Sequence, residues 1–410
     1  MDFSIPEEIT AVGDALIKFI DREIAPIEDA NRKLLSSERT MFNEDGRYCD
    51  DMLALRKKIR MRSAEAGFYS LFGPASIGGD DMGAVAAVII QAMLHEHIGP
   101  GRDLIHPIVL PSPFTNGLTP LLTNLEPTVL ELYREKIASG EKTLCFALSE
   151  PDAGSDVYNM KTRAVRDGDE WVITGTKQWI SNSPYADYAM VFAITDPELC
   201  KRRVGGITGF FVDTQAPGFK VPRVISILGH LGSDIGVVTF DAVRVRHDHM
   251  MGPEGKGLSV AIKGVNNGRV GMAGQCVGLA RWALKLAVDY SKQRQTFGKP
   301  IAEHQGVQFM LAECAMDIYA TKNMLLNCAW RIDQQLPVEG EISMVKAYST
   351  EMLNRVMDKC IQIHGGMGLT NEVRLQEGYR WARSMRIPDG TTEIQKRTIA
   401  RRLLAGDIDL

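Results

Sequence analysis

Twice along this chain the spacing of apolar residues changes period, and those two changes restrict the fold more than any single motif does. Up to about residue 140 the spacing is helical: Val12, Leu16, Phe19 and Ile20 form one set, and Leu53, Leu55 and Ile59 begin another. Breaks fall at Asn43–Gly46 and Phe72–Gly79, ahead of a helix expected from Asp81 to His97. The prolines between Pro107 and Pro113 forbid one regular helix there. From about Leu144 the period shortens. Residues 161–166 and 170–174 flank Asp167 and Gly168, a tight-turn dipeptide, and Tyr188–Thr195, Ile207–Val212 and Val237–Val245 are rich in β-branched and aromatic residues. After Gly257 the helical period returns in Leu258, Ala261, Ile262 and Val265, with long helices separated at Gly298–Pro300, Leu336–Pro337 and Gly365–Gly368. The expectation is an α+β chain, mostly helix. It has an N-terminal helical domain over 1–142, a compact antiparallel β domain over 143–252 and a C-terminal helical bundle over 253–410.

Composition removes several classes. With 45% hydrophobic and 24% charged residues among 410, the chain is globular and long enough for a sizeable core. A formal charge of −4 gives no basic footprint for nucleic acid. No run reaches the ~18–20 apolar residues of a membrane helix; the richest, Met82–Leu94, is interrupted by Gln91 and reads as a buried helix. The acidic N-terminus lacks the apolar core of a signal or transit peptide. Seven scattered cysteines with no C-x-x-C pair argue against a disulfide framework or a zinc site and for a reducing cytoplasm; each reads best as a small buried hydrophobe.

Familiar nucleotide signatures are missing, including G-x-G-x-x-G after a strand and a phosphate-cradling loop at Gly252–Gly257. Neither a G-x-S-x-G elbow nor H-E-x-x-H is found. Four other segments carry chemistry. In Cys145–Asp156, the small and hydroxylated residues Ser149, Gly154 and Ser155 let a flat heterocycle or phosphate approach the backbone; composition alone favours a plain polar loop. In Gly175–Asn182, Trp179 and Ser181 fall on one strand face, suiting a stacked ring with a hydrogen bond at its edge, or equally a core tryptophan. In Arg294–Pro300, Arg294 suits pyrophosphate and Phe297 an adenine face, with Gln305 beyond; a basic inter-helix loop reads much the same. The fourth is the pair Gln362–Gly368 and Arg386–Gln395. There Gly365 and Gly366 permit close backbone approach, and Asp389 either serves chemistry or begins a helix that Thr391 or Thr392 caps. His364 reads as a satisfied structural histidine.

In this order and spacing the segments resemble those of the acyl-CoA dehydrogenase family over nearly the whole chain. The S-E-P-x-A-G-S-D, W-I-S-N, R-x-x-F-G-K-P and Q-I-H-G-G-x-G blocks match its signatures, and Ala66–Gly79 is similar to its early glycine-rich loop. The resemblance implies an N-terminal helical domain, a central β domain and a C-terminal four-helix bundle. FAD lies between the last two, and a neighbouring subunit completes the site in a homodimer or homotetramer. By the same resemblance, Phe146, Leu148 and Ser149 lie against the isoalloxazine, with Gly154 nearby, and Ser155 is shared by flavin and pantetheine. Trp179 covers the flavin, and Ser181 takes the place of a commoner Thr near N5. Arg294 and Phe297, with Gln305 close by, reach pyrophosphate and adenine across the subunit boundary; Gln362 and Gly366 make the second such contact. Thr391 contacts flavin or phosphate, Glu393 stands where Gln is commoner, and Arg269 faces the CoA channel. No metal is implied.

The implied reaction is α,β-dehydrogenation of an acyl-CoA thioester to the trans-2-enoyl-CoA. A carboxylate removes the α-proton as hydride leaves the β-carbon for the flavin, and an electron-transfer flavoprotein takes the electrons, as in fatty-acid β-oxidation. The family's usual base is a Glu in E-G-T; here Asp389 stands in Asp389-Gly390-Thr391. Asp is shorter by about 1.5 Å, and an uncompensated misplacement of that size costs about 100-fold in rate. A subgroup of the dehydrogenases and the related nitroalkane oxidase carry Asp there. Relatives that place the base before the Arg matched by Arg269 have no counterpart here, since that position is Gly268. The runner-up reading is a flavin oxidase of acyl-CoA or nitroalkane type; a non-catalytic flavin-binding or assembly protein is the third.

Overall fold

The computed structural model describes residues 5–106 and 108–408. Residues 1–4 of the acidic N-terminal segment read as neither signal nor transit peptide, and Pro107 of the proline-rich segment, lie outside the described residues. In chain order the principal elements are α1 (Glu7–Phe19), α2 (Asp50–Glu65), α3 (Gly83–Ile98), α4 (Pro127–Ala138), β1 (Leu144–Ala147), β2 (Arg163–Asp167), β3 (Glu170–Ser181), β4 (Tyr188–Ile194), β5 (Ile207–Asp213), β6 (Phe219–Val224), β7 (Ile235–Arg246) and β8 (Met250–Met251). There follow α5 (Gly257–Gln293), the short hairpin β9 (Gln295–Thr296) and β10 (Lys299–Pro300), α6 (Gln305–Asp333), α7 (Glu339–His364), α8 (Leu375–Met385) and α9 (Thr392–Leu404). Helical segments of all kinds take 54% of the described residues. Its contacts group it into two units, one of residues 1–21, 82–103 and 268–410, the other of 22–81 and 104–267. Part of the expected N-terminal domain therefore groups with the sheet and part with the C-terminal helices.

The second unit is built on an eight-stranded sheet in the order β6-β7-β3-β2-β4-β5-β8, with β1 added on β4. The expected hairpin is present: β2 pairs antiparallel with β3 from Arg163–Thr174 to Asp167–Glu170, and Gly168 takes the φ of +64° that such a turn needs. The sheet is antiparallel except around β4, which pairs in parallel with β1 and β2. That strand is the innermost. All seven of its residues are buried; Met190, Phe192 and Ile194 face one apolar cluster, and Ala189, Val191 and Ala193 face the other. A strand covered on both faces reads as continuous apolar sequence, and long connections supply its parallel partners. In α2 the buried stripe is Met52, Arg56, Ile59 and Ser63, so Arg56 takes an inner position that periodicity gave to Leu55. Its guanidinium lies 4.8 Å over the Tyr48 ring.

The first unit centres on α7, which packs against α6, α8 and α9. Helix α3, apolar nearly all round, packs on α1 and α6. Close approach of α5 to α3 depends on two glycines one turn apart. A Cβ on Gly274 would lie 2.8 Å from the Val88 carbonyl oxygen, and one on Gly278 2.4 Å from that of Ala92. Gly278→Ala is expected to lower the unfolding free energy by about 1–3 kcal/mol through overpacking. An unchanged denaturation midpoint would show that the helices can separate without cost.

Candidate active site

In the sheet unit, the loop after β1 is laced to β3. The Gln178 N–H donates to the Ser149 carbonyl at 2.9 Å, and Lys177 Nζ donates to the Leu148 carbonyl at 2.9 Å. Lys177 is fully buried and also pairs with Glu150 at 2.9 Å. The other Glu150 oxygen accepts from the Lys161 N–H at 2.6 Å, and the Thr162 N–H donates to the first at 3.0 Å. Removal from water pushes Lys177 down to about 8, against the pull of Glu150, while Lys177 and these donors hold Glu150 below the usual carboxylate range despite its burial.

The ion pair stands under a bulge. Lys177 pairs with Val238 and Ile180 with Gly236, so β3 carries one residue more than β7 across this step. Lys177 and Ile180 both point inward, and Trp179 is turned out. It is 53% exposed at φ +66°, a conformation that is strained for a bulky side chain, and Ser181 is exposed beside it in sequence. The core-tryptophan alternative is thereby excluded. Phe146 stacks at a tilt between Phe114 and Phe192, with centroids 5.0 and 5.1 Å away, and Leu148 leans on the same core. Gly154 and Ser155 lie exposed on the following loop, and a Cβ at Gly154 would meet nothing within 4 Å. The surface presents an outward indole, open backbone at Gly154 and exposed hydroxyls at Ser155 and Ser181, a set chemically suited to a flat ring.

In the helical unit, Asp389 and Gly390 both take positive φ, +57° and +88°, and so reverse the chain before α9. The turn is held by its carbonyls. That of Asp389 accepts from Arg269 Nε at 2.7 Å and Gln395 Nε2 at 3.0 Å; that of Gly390 accepts from Lys346 Nζ at 2.8 Å and Gln395 Nε2 at 3.1 Å. Nearby, Glu351 Oε1 accepts from Arg386 Nε at 2.7 Å and the Thr392 hydroxyl at 3.0 Å, closing the loop from below. Thr391 caps α9 by accepting from the Ile394 N–H at 3.4 Å. Loss of water pushes the Asp389 carboxyl up to about 6, against the pull of the Arg269 and Lys346 cations, with no hydrogen bond contributing. A half-buried carboxylate with that proton affinity is equipped to accept a proton near neutral pH. Glu393, exposed in the first turn of α9, is held below the usual range by its own N–H and the Thr391 hydroxyl.

The sequence-predicted residues of this unit fall into two further groups. Arg294 precedes the β9–β10 hairpin, whose turn residues Phe297 and Gly298 take φ +50° and +79°; Phe297 is 96% exposed, and Gln305 is exposed where α6 begins. Gln362 and Gly366 are exposed at the end of α7, and the backbone at Gly365 and Gly366 is open to 4 Å. Lys177, Glu150, Lys346 and Gln395 were not legible as site residues by motif. The signal available was position: Lys177 continues the inward alternation of Trp171 and Ile173, and Lys346 interrupts an apolar helical stripe of Ile342, Val345 and Leu353. Among the described residues no group of three or more His, Cys, Asp or Glu could hold a metal, and no helix is long and apolar enough to cross a membrane. All seven cysteines are free, six of them buried.

Comparison with known proteins agrees with this arrangement. Family models match residues 145–243 as the acyl-CoA dehydrogenase middle domain and 255–404 as its C-terminal domain. The chain belongs to the acyl-CoA dehydrogenase family. It is 34% identical over 388 residues to the cyclohex-1-ene-1-carbonyl-CoA dehydrogenase of Geobacter metallireducens, covering 93% of this chain and 96% of that one. It is also 34% identical over 348 residues to a subunit of the caffeyl-CoA reductase–Etf complex of Acetobacterium woodii, covering 85% and 90%. The solved acyl-CoA dehydrogenase of Geobacillus kaustophilus superposes with a TM-score of 0.82 at 27% identity, covering 98% of this chain and all of that one. The protein is therefore an acyl-CoA dehydrogenase- or reductase-type flavoenzyme, an oxidoreductase acting on CH–CH bonds.

Proposed function

We propose that this acyl-CoA dehydrogenase family member oxidises an acyl-CoA thioester to the trans-2-enoyl-CoA, with Asp389 as the base. The observation that carries the reading is the half-buried Asp389 carboxyl, free of hydrogen bonds, on a turn whose backbone is fixed by Arg269, Lys346 and Gln395. The cofactor is FAD, as in solved members of the fold. Phe146, Leu148, Ser149, Gly154, Ser155, Trp179 and Ser181 would hold its ring side. Arg294, Phe297, Gln305, Gln362, Gly366, Thr391 and Glu393 would hold the rest, the first five from a neighbouring subunit of a homodimer or homotetramer. When bound, FAD supplies an acceptor for the hydride leaving the β-carbon. The chain's own part is to exclude water, hold the thioester with Ser155 and Arg269, and take the α-proton on an Asp389 carboxylate oxygen. Electron-transfer flavoprotein is the proposed acceptor, in keeping with the Etf complex of the Acetobacterium relative. A cytoplasmic place in acyl-chain β-oxidation completes the reading.

The test is anaerobic titration of the FAD-loaded protein with straight, branched and hydroxylated acyl-CoAs. Bleaching of the flavin by at least one supports the reading; no bleaching by any, in a protein that stays yellow, sinks it. Rapid reoxidation by oxygen would assign the protein to the oxidases instead. Because a reductase is among the relatives, the enoyl-CoA direction forms the second arm, with protonated Asp389 donating to the α-carbon. The sign of the pH dependence follows from Asp389. Dehydrogenation needs the ionised carboxylate, so the rate of flavin reduction rises as pH passes through about 6 and levels off above it. A rate flat from about pH 5 to 8 would remove Asp389 from the role.

A further inference from the structure

The helix behind the Asp389 turn holds a cation where packing alone would place an apolar residue. Lys346 lies about two turns into α7, between Val345 and Ala347 and one turn from Ile342, Ser349 and Thr350, all buried. Its relative exposure is 0%. Lysine is almost never fully buried without a partner, and a methionine would fill the same space without the cost of stripping water from an ammonium group. The compensation is specific. Lys346 Nζ donates at 2.8 Å to the carbonyl of Gly390, the residue after Asp389.

The charges around it narrow its role. Asp389 is the strongest anionic influence on Lys346, ahead of Cys276 and Glu351, and Arg269 is the opposing cation. Cys276, on α5, is pushed up to about 12 by burial and stays neutral. Glu351, on α7 itself, is engaged by Arg386 and Thr392. Gln395, facing the turn from α9, is uncharged. Among the described residues that act on this ammonium group, the carboxylate without a hydrogen-bond partner is the proposed base.

We propose that Lys346 is a positioning residue for the proton transfer: from within α7 it fixes the Asp389–Gly390 turn through the Gly390 carbonyl and holds the Asp389 carboxylate in its ionised, proton-accepting form. The proposal rests on the reading of Asp389 as base and adds to it a second cation that, with Arg269, keeps this base ready at neutral pH. Burial lowers Lys346 to about 8, so the ammonium form prevails at pH 7, where Asp389, at about 6, is mostly ionised. Arg269 pulls on the Asp389 carboxylate more strongly than Lys346 does, so removing Lys346 takes away the second of two cations and should raise Asp389 by about one unit, the low end of what an opposite charge does to a carboxyl.

The experiment compares pH profiles of anaerobic flavin reduction by the best acyl-CoA in FAD-loaded wild type, Lys346→Met and Asp389→Asn. In K346M the acid limb should move up by about one pH unit. The rate at pH 6 should fall about fivefold, that at pH 7 about twofold, and both should recover by pH 9, with half-saturation by substrate little changed. A residue that only packs the helix would lower the yield of yellow protein and leave the limb of the surviving enzyme in place. An unmoved limb in K346M, with D389N inactive, overturns the role of Lys346 and leaves the base intact; an active D389N overturns the base itself. Should K346M fail to retain FAD, Lys346→Gln, equally uncharged but polar, is read by the same criterion.

Discussion

Asp389→Asn is expected to abolish flavin reduction by acyl-CoA while leaving the protein yellow. Asparagine keeps the size of the side chain and, like aspartate, tolerates a left-handed backbone better than most residues, so the turn at φ +57° survives. The bonds that fix the turn end on main-chain carbonyls and do not involve the carboxylate. What is lost is the ability to accept a proton. General base catalysis contributes about 10²- to 10⁴-fold, so the rate of anaerobic bleaching should fall by a factor in that range, with FAD content unchanged. A fall of less than about threefold would mean that another group takes the α-proton. Loss of the yellow colour would instead point to a structural part for the carboxylate, which its lack of hydrogen bonds argues against.

The second large effect is expected in the other unit. Lys177→Met removes the cation from a pair whose two members are 0% and 5% exposed, leaving Glu150 with the Lys161 and Thr162 amides alone. Breaking a buried pair by deleting one partner costs about 3–5 kcal/mol; the two remaining amide bonds place Glu150 at the lower end. The Leu148 carbonyl loses its donor at the same time, on the segment proposed to lie against the isoalloxazine. Denaturant unfolding should show the destabilisation, and the ratio of flavin to protein absorbance should show poorer retention of FAD. A stability change below about 1 kcal/mol with full flavin content would show that the amides suffice.

Much of the architecture was legible in the change of period because each element buries a simple stripe or alternation. The hairpin at Gly168, the helix at Gly83–Ile98 and the breaks at Gly298–Pro300 and Gly365–Gly368 were all readable in this way. Two features were hidden. Parallel pairing of β4 depends on distant segments, and edge strand β6, which holds Pro222, carries weak alternation. At the site, motifs pointed to Asp389, Arg269 and Trp179, and the structure brings the first two together directly. Lys177 and Lys346 were missed because a lysine in an apolar pattern reads as a surface residue until the fold shows both flanks covered. Trp179 was ambiguous because simple alternation does not anticipate the extra residue that turns it outward.

The way the Asp389 turn is fastened bears on how an aspartate can serve as the proposed base. Arg269, Lys346 and Gln395 grip atoms that every amino acid possesses. The mount is thus made on main-chain atoms, and the proposed base inside it can be exchanged over evolutionary time for another residue that tolerates the left-handed φ of +57° without breaking those bonds. What changes with each exchange is reach, so the burden of adjustment passes from the scaffold to the shape of the acyl groups that such a family member can oxidise.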